Sequence, residues 1–168
     1  MNLIILGAGG YGQTVADVAE QSGLYEEVLF LDDKSKLENV VGKCDDYNKY
    51  KDCHIYPAFG NNEMRLYWVK KLEIEGFSVP TLKHPSAYIS PKSILEQGCI
   101  VLPHAIINTN CKIDKGCIIN CGAIIDHGCF IDEGCHICLG AIVKAENRIT
   151  KYSKIEAGEV IQARTYPV

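Results

Sequence analysis

The chain has 168 residues, enough for one ordinary domain or two small ones. Its 47% hydrophobic and 23% charged content is that of a soluble globular protein, and a net charge of −4 leaves no basic footprint for nucleic acid. No apolar run approaches the roughly 18 residues of a membrane-spanning helix, and Met1–Leu6 lacks the basic start of a secretion signal, so a cytoplasmic location is expected.

The first half alternates strands and helices. Leu3–Leu6 is a short apolar run suited to a buried strand, and Gly7-Ala8-Gly9-Gly10-Tyr11-Gly12 follows as a loop. Val15, Val18 and Ala19 form a helical stripe that runs to Gly23. Val28–Leu31 predicts a second strand ending at Asp32-Asp33, and Ile55–Phe59 a third ending at Gly60-Asn61-Asn62. A second helix is expected over Met64–Glu75, with Leu66, Val69, Leu72 and Ile74 as its apolar residues. A small, mostly parallel sheet with helices accommodates this order. His84-Pro85 marks a junction, because a residue before proline is pushed out of the helical region.

From there a six-residue period takes over. Ile89, Leu95, Val101, Ile107, Ile113, Ile119, Ile125, Ile131, Ile137, Val143, Ile149, Ile155 and Ile161 are all aliphatic. Two residues before each stands a small side chain, with only Asn147 and Glu159 breaking the rule. Glycine often follows three residues later, as at Gly98, Gly116, Gly122 and Gly128. A period of six fits neither a helix nor a plain alternating strand; it fits a β-solenoid of short strands and corners. Two parts are therefore expected: a Rossmann-like α/β unit over residues 1–84 and a parallel β-helix over 85–168, rigidly packed together.

Nine cysteines suggest a disulfide or metal framework, but the repeat accounts for five of them. Cys99, Cys111, Cys117, Cys129 and Cys135 occupy the small inward position. With three hexapeptides per coil, residues 18 apart stack, so Cys99, Cys117 and Cys135 form one column and Cys111 and Cys129 another. Reduced cysteine packs there as a small hydrophobe, as a reducing compartment allows. Cys121 and Cys138 lie off that position and are expected to be partly exposed. No metal is expected.

Gly7-x-Gly9-x-x-Gly12 after a strand, with Asp32 at the end of the next, matches a dinucleotide fingerprint. Its glycines admit a phosphate to the helix N-terminus, and the carboxylate can accept from a ribose hydroxyl. A tight β–α turn that binds nothing uses the same residues. A dinucleotide needs two mononucleotide halves, and only residues 1–84 precede the solenoid. One nucleotide attached to another group is the better fit, with an NAD-binding module as a lesser alternative. Asp33 and Gly60 lie at the same carboxyl edge.

Among solenoid residues, His127 is the best general-base candidate, since histidine titrates near neutral pH. His136 follows nine residues later, and Asn120 can donate a side-chain N–H. A solvated corner histidine is the competing explanation.

Taken together, the glycine loop, Leu31-Asp32-Asp33, Gly60-Asn61-Asn62-Glu63-x-Arg65, His84-Pro85-Ser86-Ala87 and a solenoid with Asp126-His127 resemble the left-handed β-helix sugar acyltransferases. Within that family the chain is most similar to UDP-4-amino-sugar N-acetyltransferases of the bacillosamine type, with sialic acid O-acetyltransferases beside them. The resemblance implies a left-handed coil, a homotrimer, acetyl-CoA as co-substrate between subunits, and a UDP-sugar on the N-terminal unit. It implies that Gly9, Gly10 and Tyr11 contact the sugar nucleotide, with Asp32, Asp33 and Gly60 near uracil and ribose. His127 is then the base that takes a proton from the sugar amine, Asn120 a polar active-site residue, and His136 and Ala157 contacts to acetyl-CoA. Relatives carry an acidic residue directly after the base, where this chain has Gly128. They also run about a coil and a half further, so part of the CoA surface near adenosine is expected to be absent here. Acetylation of a sugar or sialic acid hydroxyl, and a non-catalytic nucleotide-sugar-binding role, are the alternatives.

Overall fold

The structure is a computed structural model describing residues 1–168. Its N-terminal unit begins with β1 (Leu3–Leu6), α1 (Gly10–Ser22) and β2 (Val28–Leu31). Next come β3 (Val40–Gly42), a 3₁₀ turn over Cys44–Lys49, β4 (His54–Pro57) and α2 (Asn62–Ile74). The sheet order is β3-β2-β1-β4, all parallel. The edge strand β3 and the 3₁₀ turn had no counterpart in the sequence reading. The β1 residues are completely buried, which explains their unbroken apolar run. α1 stops at Gly23, whose left-handed backbone (φ 68°) donates to Glu20 O. α2 starts where the Asn61 side chain accepts from Met64 N. Leu66, Val69 and Leu72 face inward, but Ile74 is 85% exposed, contrary to the apolar stripe expected of it. Residue 74 falls off the i, i+3 row that the other three follow.

The second part is a three-faced solenoid whose strands repeat every 18 residues, all parallel. The first face holds β5 (Leu82–Lys83), β8 (Ile100–Val101), β11 (Ile118–Ile119), β14 (His136–Ile137) and β17 (Lys154–Ile155). The second holds β6 (Tyr88–Ile89), β9 (Ile106–Ile107), β12 (Ile124–Ile125), β15 (Ile142–Val143) and β18 (Val160–Ile161). The third holds β7 (Ile94–Leu95), β10 (Lys112–Ile113), β13 (Phe130–Ile131) and β16 (Arg148–Ile149). Pairing on the first face already includes Leu82–Lys83, just before His84-Pro85.

From β6 onward each strand's second residue belongs to the aliphatic ladder and points into the coil, while its first points out. The first-face outward residues Leu82, Ile100 and Ile118 join one apolar core with Leu3, Ile5, Val15 and Ala19. That shared core clamps the α/β unit onto the solenoid.

The small slots carry more than volume. A thiol in the slot donates to the corner carbonyl 15 residues on: Cys99 to Asp114, Cys111 to Asp126, Cys117 to Asp132, Cys129 to Lys144 and Cys135 to Thr150, at 3.0–3.2 Å. Ser93 does the same for Asn108. Asn147 does it for Gln162, at 2.8 Å. Where the slot is alanine, the corner carbonyl accepts a backbone N–H from its own turn, as Leu102 does from Ala105 and Asn120 from Ala123. Buried carbonyls must be satisfied, and these are two ways of doing it. Asn147 therefore breaks the size rule for a reason. It is fully buried and binds Lys144 O, Gln162 O and Tyr166 N.

All five slot cysteines are at most 2% exposed, as their position implies. Cys121 is partly exposed, but Cys138 is buried at 4%, against expectation. The parallel register sets Asn120 and Glu156 one coil to either side of Cys138, and this stacking covers it.

Candidate active site

The glycine loop is shaped by two close approaches. Gly7 has φ 97°, a conformation that favours glycine, and a Cβ on Gly12 would lie 2.0 Å from Gly7 O. The Asp32 carboxylate holds the loop from outside, accepting from Ala8 N (2.8 Å), Lys34 N (2.8 Å) and Ser35 N (2.7 Å). Those amides keep its pKa below the usual carboxylate range. Asp33 accepts from Cys44 N at 3.2 Å. Both aspartates are thus engaged by backbone at the rim. Gly9 and Gly10 lie exposed at the start of α1, whose first turn has no acidic residue.

From that rim a cleft of about 350 Å³ runs between the two parts of the chain. Tyr11, Thr14 and Gly60 line one wall, and Asn120, His136 and Leu139 the other. A second, polar hollow of about 430 Å³ adjoins it, lined by Asn61, Asn62, Glu63, Tyr152 and Lys154. His136 and Gly60 belong to both. The first-face outward column explains this placement. It reads Leu82, Ile100, Ile118, His136, Lys154 and turns polar where the cover of the α/β unit gives out.

His136 is held by Asn120, whose Nδ2 lies 2.9 Å from its Nε2. Asn120 Oδ1 already accepts from Cys121 N, so the amide presents N–H to the ring and Nε2 carries the lone pair. Nδ1 is then the protonated nitrogen, free to donate. Burial first, then the Arg65 and Lys154 charges, push His136 down to about 4. The ring is neutral at physiological pH. Across the cleft Tyr11 pairs with the buried Tyr56 (3.2 Å between hydroxyls), and burial pushes its phenol up to about 12.

Arg65 is the main residue that the sequence reading left without a role. It is 0% exposed, and it joins the Phe59–Gly60 turn to the solenoid through Gly116 O, Gly134 O and Cys135 O. The signal was present: an arginine one turn into an otherwise buried helix stripe has to find acceptors. Thr14 and Lys154 were also missed, though the 18-residue outward column points to Lys154.

His127 stands elsewhere. It is exposed at the corner that follows β12 on the second face, and it lines neither hollow. Asp126 does not touch its ring; the carboxylate accepts from His127 N (2.7 Å) and Asn108 Nδ2 (3.1 Å). Asn120, expected as a polar active-site residue, is bonded to His136. Ala157 is exposed one coil beyond Leu139, on the His136 side. Within one chain, then, Tyr11, Gly60, Asn120 and His136 converge, while His127 does not join them.

Comparison with known proteins accounts for both parts of this architecture. Residues 2–72 match the family model of the PglD N-terminal domain. The acetyltransferase domain of PglB from Neisseria gonorrhoeae is 32% identical, covering 97% of this chain and 83% of that one, with a TM-score of 0.93. The same domain in complex with acetyl coenzyme A gives 33% identity, 97% and 82% coverage and a TM-score of 0.94. A perosamine N-acetyltransferase from Caulobacter crescentus, bound to CoA and GDP-perosamine, shares the fold at 24% identity, 97% and 89% coverage and a TM-score of 0.83. The chain belongs to the hexapeptide-repeat sugar acyltransferases, as an acetyltransferase whose solenoid is a left-handed parallel β-helix. No helix is long and apolar enough to cross a membrane.

Proposed function

We propose that the protein transfers an acetyl group from acetyl-CoA to the amino group of a UDP-linked amino sugar in the cytoplasm, as a homotrimer, with His127 as general base. One observation carries this reading: the glycine loop of the α/β unit opens into a cleft whose far wall is the Asn120–His136 pair. Tyr11, Gly9 and Gly10 fit a sugar nucleotide along the start of α1, where free N–H groups favour phosphate. Asp32, Asp33 and Gly60 edge the side that would take uracil and ribose. His136 Nδ1–H and the exposed backbone at Ala157 are on the side assigned to the acyl donor.

The second face supports the trimer. Its outward column is Tyr88, Ile106, Ile124, Ile142 and Val160, apolar throughout, with Tyr88 55% and Val160 43% exposed and the three isoleucines half-buried. Such a stripe marks a contact with other copies. His127 follows β12 at the edge of that stripe, so packing there carries it toward a neighbouring cleft. The base takes a proton from the attacking amine; the nitrogen–carbon bond forms as the carbon–sulfur bond breaks, and CoA leaves as the thiol once protonated. The perosamine enzyme binds GDP-perosamine, which makes the nucleotide base the first variable to test.

Purified protein with acetyl-CoA and a UDP-4-amino-sugar should release free CoA. His127→Ala should lower kcat by about 10²–10⁴-fold, and full activity in that variant would remove His127 from the mechanism. GDP-linked and hydroxyl acceptors run in competition decide the base and N- against O-transfer.

A further inference from the structure

Arg65 is the only charged residue among the buried ones, and it has no counter-ion. Its guanidinium donates only to neutral oxygens. Nε reaches Gly116 O at 2.8 Å, and Nη1 reaches Phe59 O at 3.1 Å and Gly60 O at 3.4 Å. Nη2 reaches Asn62 Oδ1 at 2.8 Å, Gly134 O at 3.2 Å and Cys135 O at 3.4 Å. A charge taken out of water without a partner is costly, and a neutral or apolar side chain joins a helix to a sheet at less expense. Gly60 lines the cleft, and Cys135 directly precedes His136.

We propose that Arg65 is a positioning residue of the cleft: it fixes the Phe59–Gly60 turn against the corner leading into His136 and, bonded to the Cys135 carbonyl, sets an uncompensated positive charge next to that residue. The charge opposes a second proton on the ring. A neutral ring keeps its Nε2 lone pair on Asn120 and its Nδ1–H pointed outward; a protonated ring would set two donors against each other at Asn120. The other groups facing His136 are Lys154 from β17, which adds to the effect, and Glu156 just beyond, which opposes it. Glu63 in the first turn of α2, Tyr11 on α1, Cys121 after β11 and Tyr152 at the corner before β17 complete the surroundings. The inference borrows from the proposed function only the assignment of His136 to the donor side; the placement of the charge stands apart from it.

Histidine titration by NMR on the full chain tests this, with the His136 signals assigned by their loss in His136→Gln. The wild-type midpoint should lie well below the ordinary value of about 6.5. It should hardly change between about 0.05 and 1 M salt, because salt screens the exposed Lys154 far better than a buried arginine. Arg65→Gln should raise the midpoint by about 0.5 pH unit or more, while Arg65→Lys keeps most of the depression. An ordinary wild-type midpoint overturns the proposal, as does a midpoint that climbs to ordinary in high salt or one that Arg65→Gln leaves in place. The salt series needs no variant, so it can overturn the proposal even where Arg65→Gln does not fold; burial alone would also give a low, salt-insensitive midpoint, so the support comes from the Arg65→Gln and Arg65→Lys pair. Acetyl transfer with an ordinary His136 midpoint would sink this inference alone; a depressed midpoint without acetyl transfer would sink the proposed function alone.

Discussion

Ile100 and Ile142 hold the same place in the hexapeptide, the outward residue of a strand, on two different faces of the coil. Ile100 is completely buried by its own chain, under the core shared with Leu3, Ile5 and Val15. Ile142 is only half-buried and belongs to no core cluster shared with the α/β unit. One apolar column has found its cover inside the molecule and the other has not. The difference separates folding from the assembly proposed above: the first face holds the α/β unit in place, and the second is the face left for other copies in the proposed trimer.

Substitution by aspartate breaks the comparison at each place. Ile100→Asp puts an unpaired carboxylate into the core between the two parts and should cost at least about 4 kcal/mol, seen as loss of the folding transition. Ile142→Asp puts the same charge on an open face and should leave a folded chain. Sedimentation should then report a single subunit, and acetyl transfer should fall by about 10²-fold if a neighbouring His127 completes the site. A trimeric Ile142→Asp protein would show that the second face is not the contact.

The two parts also differ in how much of them could be read in the sequence. The period of six gave the coil, its 18-residue register and the burial of the ladder, because each rung repeats the same local problem. β1, α1 and β2 were legible from apolar runs and the Gly23 stop. β3 was not: Val40–Gly42 is short, half-exposed and recognisable only by its pairing with β2. Within the site, Tyr11, Gly60 and His136 came out of the motifs, but their meeting in one cleft depends on how α2 docks. That docking rests on Arg65, whose partners lie as far as 70 residues away in the chain. The pairing of Asn120 with His136 is likewise non-local: 16 residues on, the coil has come almost a full turn round and sets the two side by side.

Cysteine substitutions sharpen the contrast between the two kinds of corner. Cys117→Ala removes the thiol that serves Asp132 O and leaves that carbonyl without a donor, at a cost of about 1–3 kcal/mol. Cys117→Ser keeps a donor in nearly the same volume and should cost clearly less. Denaturant midpoints for the two variants measure this. Equal losses would return these cysteines to the role of plain filler.

The smallest effect concerns the corner residues with left-handed backbone. Gly122, Gly140 and Gly158 occupy one corner column with φ between 63° and 71°. His104 stands in the same column one coil earlier, with φ 59° and an exposed side chain. A side chain with a Cβ is strained there by about 1 kcal/mol or more. Glycine removes that strain but adds freedom to the unfolded chain, worth about 0.5–1 kcal/mol in the opposite direction. The histidine ring forms no hydrogen bond, and the backbone N–H that reaches Ser86 Oγ at 3.2 Å survives the change. His104→Gly should therefore stabilise the protein by a few tenths of a kcal/mol, about 0.5 at most. The same change at Ile106, on the strand that follows this corner, should destabilise it. A His104→Gly variant less stable than wild type would mean that this corner carries a contact across the solenoid surface that a single chain does not make.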